Sequence, residues 1–179
     1  MKVFLTVGSQ LPFDRLAAAV DAWAQAGGKS HVVTGQIGDT TTPPRHFEWS
    51  AELEPQAFRV AVESADIIVG HAGTGTIMAA LCAGKSVVVL ARRKALQETR
   101  NDHQVATVER FSDLPGFHGT ADADEIPSLI EAALVGLESP PAGNKIGTPA
   151  GAPVRSSLRL HAQGPIVERL RSFLDEALS

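Results

Sequence analysis

The stretch that decides the fold is ADIIVGHAGTGTIMAALCAG, residues 65–84. It begins with a short apolar run, residues 67–69, which is typical of a strand buried on both faces of a parallel sheet. A glycine-rich turn follows. Residues 75–83 then have the pattern of a helix that Gly84 ends. A buried strand, a glycine-rich turn and a helix in this order indicate a β-α-β unit.

The same alternation continues on both sides of this stretch. Further strands are predicted at residues 3–7, 31–34, 46–50, 86–90 and 117–120, and further helices from Pro12 to the Gly27-Gly28 pair and at 55–63, 102–110 and 124–137. Right-handed crossovers between such units predict an α/β fold, a Rossmann-like doubly wound parallel sheet. Ligands of these sheets bind at the carboxyl ends of the strands, where every glycine-rich turn of this sequence lies.

Composition limits the class of protein. The chain has 179 residues, of which 44% are hydrophobic, and a formal net charge of −4. Because there is no basic excess, nucleic acid is not expected as a partner. The single cysteine, Cys82, is compatible with a reducing compartment. No run approaches the roughly 20 apolar residues of a transmembrane helix, so we expect a cytoplasmic protein. Any association with the inner face of the membrane would come through a partner or a surface helix.

Three regions are predicted along the chain: a Rossmann-like domain at 1–138, a Gly/Pro-rich linker at 139–155 and an amphipathic C-terminal helix within 156–179. The apolar face of that helix consists of Ile166, Leu170, Phe173, Leu174 and Ala177. Packing of this face on its own domain and docking on another chain are both open.

The most informative motif for function runs from His71 to Thr76 and includes Gly73, Thr74 and Gly75. Glycines allow close approach of a ligand to the backbone, and free N–H groups at a helix start form an anion site. The threonines add hydroxyl donors, so a diphosphate is the expected guest. The alternative is an ordinary strand-to-helix turn in which a threonine acts as the N-cap.

A second candidate segment follows the strand at 86–90. Glu98 is able to accept both hydroxyls of a ribose, and Asn101 and Gln104 are able to bind a neutral sugar or a diphosphate. Arg93, in a basic run of residues 92–94, is able to offset phosphate charge. The alternative is a solvated loop with an N-cap at residue 101 or 102.

Two further turns carry weaker signals at the same edge. Gly8, Ser9 and Gln10 follow the first strand and are candidates for contact with a sugar or phosphate. Gln36 follows the second strand, and its amide is a candidate for reading a base or a sugar. No metal-ligand spacing is present, so neither a metal nor a cofactor is expected and phosphate binding would rely on backbone donors and basic side chains.

These motifs together resemble the C-terminal domain of glycosyltransferase family 28 over residues 1–137. The shared stretches are VGS at 7–9, PFDRL at 12–16, Ala65-Asp66, HAGTGTI at 71–77, Gly84-Lys85, Glu98 and DHQ at 102–104. The likeness is strongest to the single-domain type, namely bacterial exopolysaccharide subunits and the cytosolic subunit of the dolichol-pathway N-acetylglucosaminyltransferase.

The resemblance implies one half of a GT-B fold that binds a UDP-sugar, with residues 74–76 on the diphosphate, Glu98 on the ribose, and Gln104 and Asn101 on the donor sugar. It also implies a membrane-anchored partner that binds a lipid-linked saccharide acceptor and supplies the general base of an inverting transfer. Two other interpretations stay open: a self-sufficient homodimeric glycosyltransferase, and a nucleotide-sugar-binding regulatory subunit without catalysis. The sequence does not name the donor sugar or the acceptor.

Overall fold

Six parallel strands form the centre of the structure, a computed structural model that describes residues 1–8, 11–27 and 30–138. The strands are β1 (Lys2–Thr6), β2 (Val32–Gln36), β3 (Glu48–Ser50), β4 (Ile67–His71), β5 (Ser86–Leu90) and β6 (Phe117–Thr120). Their order in the sheet is β3-β2-β1-β4-β5-β6. The predicted linker and C-terminal helix lie outside the described residues.

Four helices connect strands, and a fifth follows β6 in the described part of the chain: α1 (Asp14–Gly27), α2 (Pro55–Ser64), α3 (Thr74–Cys82), α4 (His103–Phe111) and α5 (Ile126–Glu138). Two short 3₁₀ turns, Lys94–Leu96 and Ala123–Glu125, precede α4 and α5. Every predicted strand and helix of residues 1–138 is present. The α/β fold predicted from the sequence is therefore confirmed.

Alternation along the strands explains why helices cover both faces of the sheet. Val3 and Leu5 of β1 belong to a core cluster with residues of α1 and α5, whereas Phe4 belongs to a second cluster with residues of α2, α3 and α4. β5 is buried along its whole length. Two apolar cores on opposite faces of one parallel sheet define the doubly wound arrangement.

The turn between α3 and β5 shows how local sequence fixes these connections. Gly84 has a φ of +66°, a conformation that glycine adopts at little cost. The Lys85 N–H then donates to the Ala80 carbonyl at 3.0 Å. The ammonium group of Lys85 donates to the carbonyls of Glu63 and Ala65 near the end of α2. One Gly-Lys pair thus ends α3 and joins it to the neighbouring helix.

The sheet order determines where a ligand site forms. The direction in which successive strands are added to the sheet reverses between β1 and β4. The crossover through α1 leads from β1 to one side of the sheet, and the crossover through α3 leads from β4 to the other side. Loops that leave two adjacent strands in opposite directions open a crevice at their carboxyl ends.

No helix in the described part of the chain is long and apolar enough to cross a membrane.

Candidate functional site

A cleft of about 700 Å³ lies at this reversal point. Its floor and walls come from the ends of β1, β2, β4 and β5 and from the starts of α2, α3 and α4. The lining residues are Thr6, Val7, Gly8, Leu11, Gln36, Glu52, Leu53, Pro55, Phe58, His71, Gly73, Thr74, Gly75, Thr76, Arg92, Thr99, His103 and Gln104. The volume falls within the usual range of small-molecule sites, roughly 300–1,000 Å³.

The start of α3 faces this cleft without a side-chain cap. The N-cap is Gly73, in an extended conformation with φ −88° and ψ 140°, and no side chain bonds the first-turn N–H groups. The threonine cap considered as an alternative is therefore absent. Unpaired N–H groups at the positive end of a helix form an anion site when they face a cavity.

Two glycines allow the His71 ring to lie in the cleft wall. A Cβ on Gly73 would come within 2.2 Å of the ring, and one on Gly8 within 2.8 Å. Gly8 also has a φ of +82°. The Nδ1 atom of His71 lies 3.2 Å from the Thr76 hydroxyl, which joins the two ends of the predicted motif.

His71 is neutral at physiological pH. Burial lowers its pKa to about 4, and the nearby positive charge of Arg92 acts in the same direction, against a hydrogen bond to the Thr6 backbone that raises the pKa. A base with so low a pKa is poorly matched to proton abstraction near pH 7. The ring therefore serves this site as a neutral hydrogen-bonding group.

Arg92 is the cation in the cleft floor, and only 4% of it is exposed. Its guanidinium donates to the carbonyls of Val7, Leu11 and Pro12 at 3.0, 2.6 and 2.8 Å. It also lies over the Phe13 ring, 4.4 Å from the centroid. One buried charge thus holds the residues that flank the β1–α1 turn.

Arg93, predicted to contact the donor, has a different location. It is exposed and lines a separate depression between the loops that follow β5 and β6. The basic run at residues 92–94 is therefore divided, and Arg92 rather than Arg93 reaches the cleft. Arg92 is held inside by the carbonyls of the β1–α1 turn, whereas the chain reaches the surface at Arg93.

Glu98 is engaged by Arg15 and lies beside the cleft rather than among its lining residues. Two bonds of 2.8 Å join the side chains, Nε to Oε1 and Nη2 to Oε2. The Arg93 N–H also donates to Oε2 at 2.9 Å. One acceptor position on Oε1 is left for a ligand, so a ribose role for Glu98 stays a prediction.

Gln104 and Asn101 differ in their access to the cleft. The buried Gln104 accepts a hydrogen bond from the Arg92 N–H at its Oε1, 3.0 Å away, which leaves the amide N–H₂ free to donate. Asn101 is exposed, and its Oδ1 contacts the Nδ1 atom of His103. Asn101 therefore reaches the cleft only through the imidazole of His103.

Ser9 and Gln10 lie outside the described residues, and their predicted contacts stay predictions. The neighbouring Gly8 and the end of β2 at Gln36 both line the cleft, and their contacts with a donor stay predictions. Among residues 1–8, 11–27 and 30–138, no group of three or more His, Cys, Asp or Glu side chains is arranged to hold a metal ion.

Sequence reasoning missed the apolar wall of the cleft, which consists of Leu53, Pro55 and Phe58. These residues follow β3 and begin α2, so the rule that ligands bind after strands applies to them as well. The signal was weak because β3 has only three residues and its end is difficult to place from sequence.

The sequence matches the model of a known protein family. The model of the family described as the glycosyltransferase family 28 C-terminal domain matches residues 2–141. No curated protein shows a significant match to the sequence.

Several solved structures with a similar fold are glycosyltransferases. The glycotransferase of kitacinnamycin is 26% identical with a TM-score of 0.58, and the match covers 96% of this chain and 39% of that one. CalG4, the calicheamicin glycosyltransferase, is 19% identical with a TM-score of 0.57, and the match covers 97% of this chain and 39% of CalG4. The spinosyn forosaminyltransferase SpnP is 18% identical with a TM-score of 0.53, and the match covers 97% of this chain and 43% of SpnP. The chain thus spans about two fifths of each of these structures.

Proposed function

The chain belongs to the glycosyltransferase family 28 C-terminal domain family, and from this premise we propose that it binds the UDP-sugar donor of an inverting glycosyltransferase. In this proposal a membrane-anchored partner binds a lipid-linked saccharide acceptor, and the complex acts in polysaccharide biosynthesis. The single observation that carries the proposal is the uncapped start of α3, which faces a cleft whose floor holds the buried Arg92.

The charges of the cleft support a diphosphate at this position. Arg15 and Glu98 offset each other, so the trio that they form with Arg92 has a net charge of +1 after β5, while Glu52, the other charged side chain of the described lining apart from the histidines, follows β3. The carbonyls around Arg92 accept from both of its Nη atoms but do not cancel its charge. Together with the positive end of α3, this charge stabilises an anion between the loops that follow β4 and β5.

The two ends of the diphosphate then differ in chemistry. Leu53, Pro55 and Phe58 form an apolar wall suited to the flat face of a uracil base. Gln104 lies at the start of α4, where its free N–H₂ is able to donate to a hydroxyl of the donor sugar. The base and the sugar are therefore assigned to opposite ends of the cleft.

In the transfer, the acceptor hydroxyl oxygen bonds to the anomeric carbon as the bond from that carbon to the diphosphate breaks. The residues of this chain stabilise the charge that develops on the leaving UDP. In this proposal the hydroxyl proton goes to a base on the partner. Burial lowers the pKa of His71 to about 4, so this cleft histidine is a weak base at neutral pH. Leu11 at the cleft rim is 51% exposed, an apolar surface that a second half would cover.

Two glycine variants test the proposal. A Cβ on Gly75 or on Gly136 would meet nothing within 4 Å, and both residues are in helices. Each Gly→Ala change is therefore expected to stabilise the fold by about 0.5–1 kcal/mol. Only Gly75 adjoins the proposed diphosphate site.

The measurement is calorimetric titration with UDP and a panel of UDP-sugars without added metal. We expect the wild-type chain and Gly136→Ala to bind UDP equally, and Gly75→Ala to bind it at least tenfold more weakly. Equal UDP affinity of all three proteins would place the diphosphate elsewhere. Absence of UDP binding, both for the chain alone and for the co-expressed complex, would refute the proposal.

A further inference from the structure

A groove of about 730 Å³ lies between α2 and the edge of the sheet at β2 and β3. In the register of the sheet Phe4 of β1 is next to Thr34 of β2, and Thr34 is next to Glu48 of β3, so the three side chains share one face. Phe4 is buried, and its ring packs against that of Phe58 in α2 with the centroids 5.6 Å apart. Thr34 and Glu48 are exposed. α2 therefore covers β1 and leaves β2 and β3 open on this face.

α2 gives the groove an apolar flank. Val62 is the only buried residue of this ten-residue helix. Ala57 and Val60 are exposed, Val60 by 57%, and both line the groove. Parallel sheets are almost always covered on both faces. An exposed apolar flank beside an uncovered part of a parallel sheet indicates that a further element packs here.

The sequence contains one predicted element that the described fold does not account for, the amphipathic helix at residues 165–178. Isolated helices of up to about 12–15 residues are marginal in water, so a helix of this length needs a surface on which to bury its apolar face. That face consists of Ile166, Leu170, Phe173, Leu174 and Ala177.

The chain between α5 and this segment is long enough to reach the groove. α5 ends at Glu138 and packs against β5 on the opposite face of the sheet. Three strand spacings separate β5 from β2, and helices on opposite faces of a sheet are about 20 Å apart, so the distance to cover is roughly 25 Å. A Gly/Pro-rich chain of 26 residues, the number from 139 to 164, spans roughly 25–31 Å on average. The two lengths match.

The charges of the groove and the segment are complementary. Glu48 is the one charged side chain in the described lining of the groove. In the predicted helix Arg169 lies beside Ile166 and Phe173, at the border of the apolar face, and Glu176 lies further along the same border. A carboxylate at the groove favours the alignment that brings the guanidinium of Arg169 next to it and keeps Glu176 away.

We propose that residues 165–178 dock as a helix into the groove between α2 and strands β2 and β3 of their own chain. The segment then covers the open part of the sheet and buries its apolar face against α2. Of the two locations that the sequence leaves open for this helix, the structure favours its own domain. UDP and the partner subunit take no part in this docking, so it is independent of the proposed function.

Disulfide trapping in the full chain tests the docking. Cys82, the single native cysteine, is exposed and is first replaced by Ser. Val60→Cys is then combined with Leu170→Cys or, in a second sample, with Leu174→Cys. Val135→Cys is the matched control, because Val60 and Val135 are 57% and 59% exposed and lie in helices on opposite faces of the sheet. The rate of intramolecular disulfide formation is measured on non-reducing gels at low protein concentration.

We expect at least one of the two Val60 pairs to form its disulfide about tenfold faster than either Val135 pair, because docking raises the local concentration of the two thiols. Val135 is nearer to the segment along the chain, so unguided collisions favour the control. Equal rates, or faster trapping at Val135, would therefore overturn the proposal. Disulfides that form mainly between two molecules would place the segment on a second copy and would also overturn it.

Urea unfolding gives a second readout that needs no cysteine. Leu170→Asp puts a charge on the apolar face of the segment, and Val60→Asp puts one in the groove. We expect each change to lower the unfolding midpoint, and the double variant to lose less than the sum, because either change alone already disturbs the docking. Val135→Asp is the control and is expected to add to Leu170→Asp without coupling. Additive losses in the Val60 and Leu170 double variant would contradict docking on the same chain.

Discussion

Arg15 of the first helix and Glu98 of the loop after β5 form a bidentate ion pair, with both N–O distances at 2.8 Å, across 83 residues of sequence. Arg15 also donates to the carbonyls of Ala91 and Ala121, at the ends of β5 and β6. Only 22% and 13% of the two side chains are exposed. The pair therefore fixes the loop over residues 93–100 relative to the sheet edge.

A double-mutant cycle measures this coupling. We expect Arg15→Met and Glu98→Gln each to destabilise the fold, because each leaves a partly buried partner uncompensated. The double variant is expected to lose less than the sum, with a coupling of about 1–3 kcal/mol in urea unfolding. Additive losses would mean that the ion pair contributes nothing to the loop.

The same pair decides how Glu98 acts on the ligand. Glu98→Ala is expected to weaken UDP binding by about 1.5–3 kcal/mol, the value of one charge-assisted hydrogen bond. Arg15→Met leaves the carboxylate in place and is expected to weaken UDP binding less. Equal weakening in both variants, measured by calorimetry, would mean that Glu98 only positions the loop and does not contact the ribose.

Arg92 is expected to be indispensable to the cleft. Arg92→Met leaves the carbonyls of Val7, Leu11 and Pro12 without donors in a buried site and removes the cation. We expect a loss of at least about 3 kcal/mol of unfolding free energy. Arg92→Lys is expected to recover little of it, because one ammonium group does not reproduce the planar fork of donors. Arg93→Met, with an exposed side chain, is the control and is expected to change neither stability nor UDP binding.

Much of this architecture was predictable from sequence, and the reason lies in its local signals. The apolar runs at β1, β4 and β5, and the glycines Gly8 and Gly73 that follow the first two, are recognisable within a few residues of chain. The site motif at His71 to Thr76 is local for the same reason. Contacts between residues that are far apart in sequence are not predictable from such local signals. Nothing near Arg15 in sequence indicates Glu98, and nothing in the run at 92–94 indicates which basic residue is buried. Those outcomes depend on which loops the sheet order brings together.

Gln104 is expected to discriminate between UDP and UDP-sugars. In Gln104→Glu the carboxylate still accepts from the Arg92 N–H, but the donor that faces the cleft is lost. The added negative charge is expected to weaken UDP as well, so the discriminating quantity is the ratio of the two affinities: the extra affinity for the preferred UDP-sugar over UDP is expected to fall about three- to tenfold. Parallel titrations with UDP and that UDP-sugar measure the difference. An equal loss for both ligands would show that Gln104 does not contact the donor sugar.

Protonation of His71 is expected to make stability fall between pH 6.5 and pH 4. The folded chain holds the pKa of His71 at about 4, chiefly through burial, whereas the unfolded chain takes up the proton near 6.5. As the pH falls through this window, the unfolded state binds more protons and becomes favoured, by up to about 1.4 kcal/mol per pH unit for one group. Burial lowers the pKa of His118 as well, so that residue contributes with the same sign.

Urea unfolding at pH 7.5, 5.5 and 4.5 measures this dependence, and His71→Gln and His118→Gln divide it between the two residues. A second loss of folding stability is expected at lower pH. Burial tends to raise the pKa of Asp14, but hydrogen bonds from Thr40 and Thr41 outweigh it and hold the pKa below its usual value. The stability from that carboxylate is therefore present above its unfolded pKa and is lost only as the pH falls through the depressed value. A stability that is flat from pH 7.5 to 4.5 in the wild-type chain would show that His71 is as readily protonated in the fold as in the unfolded chain, and would remove the argument that it is too weak a base for catalysis.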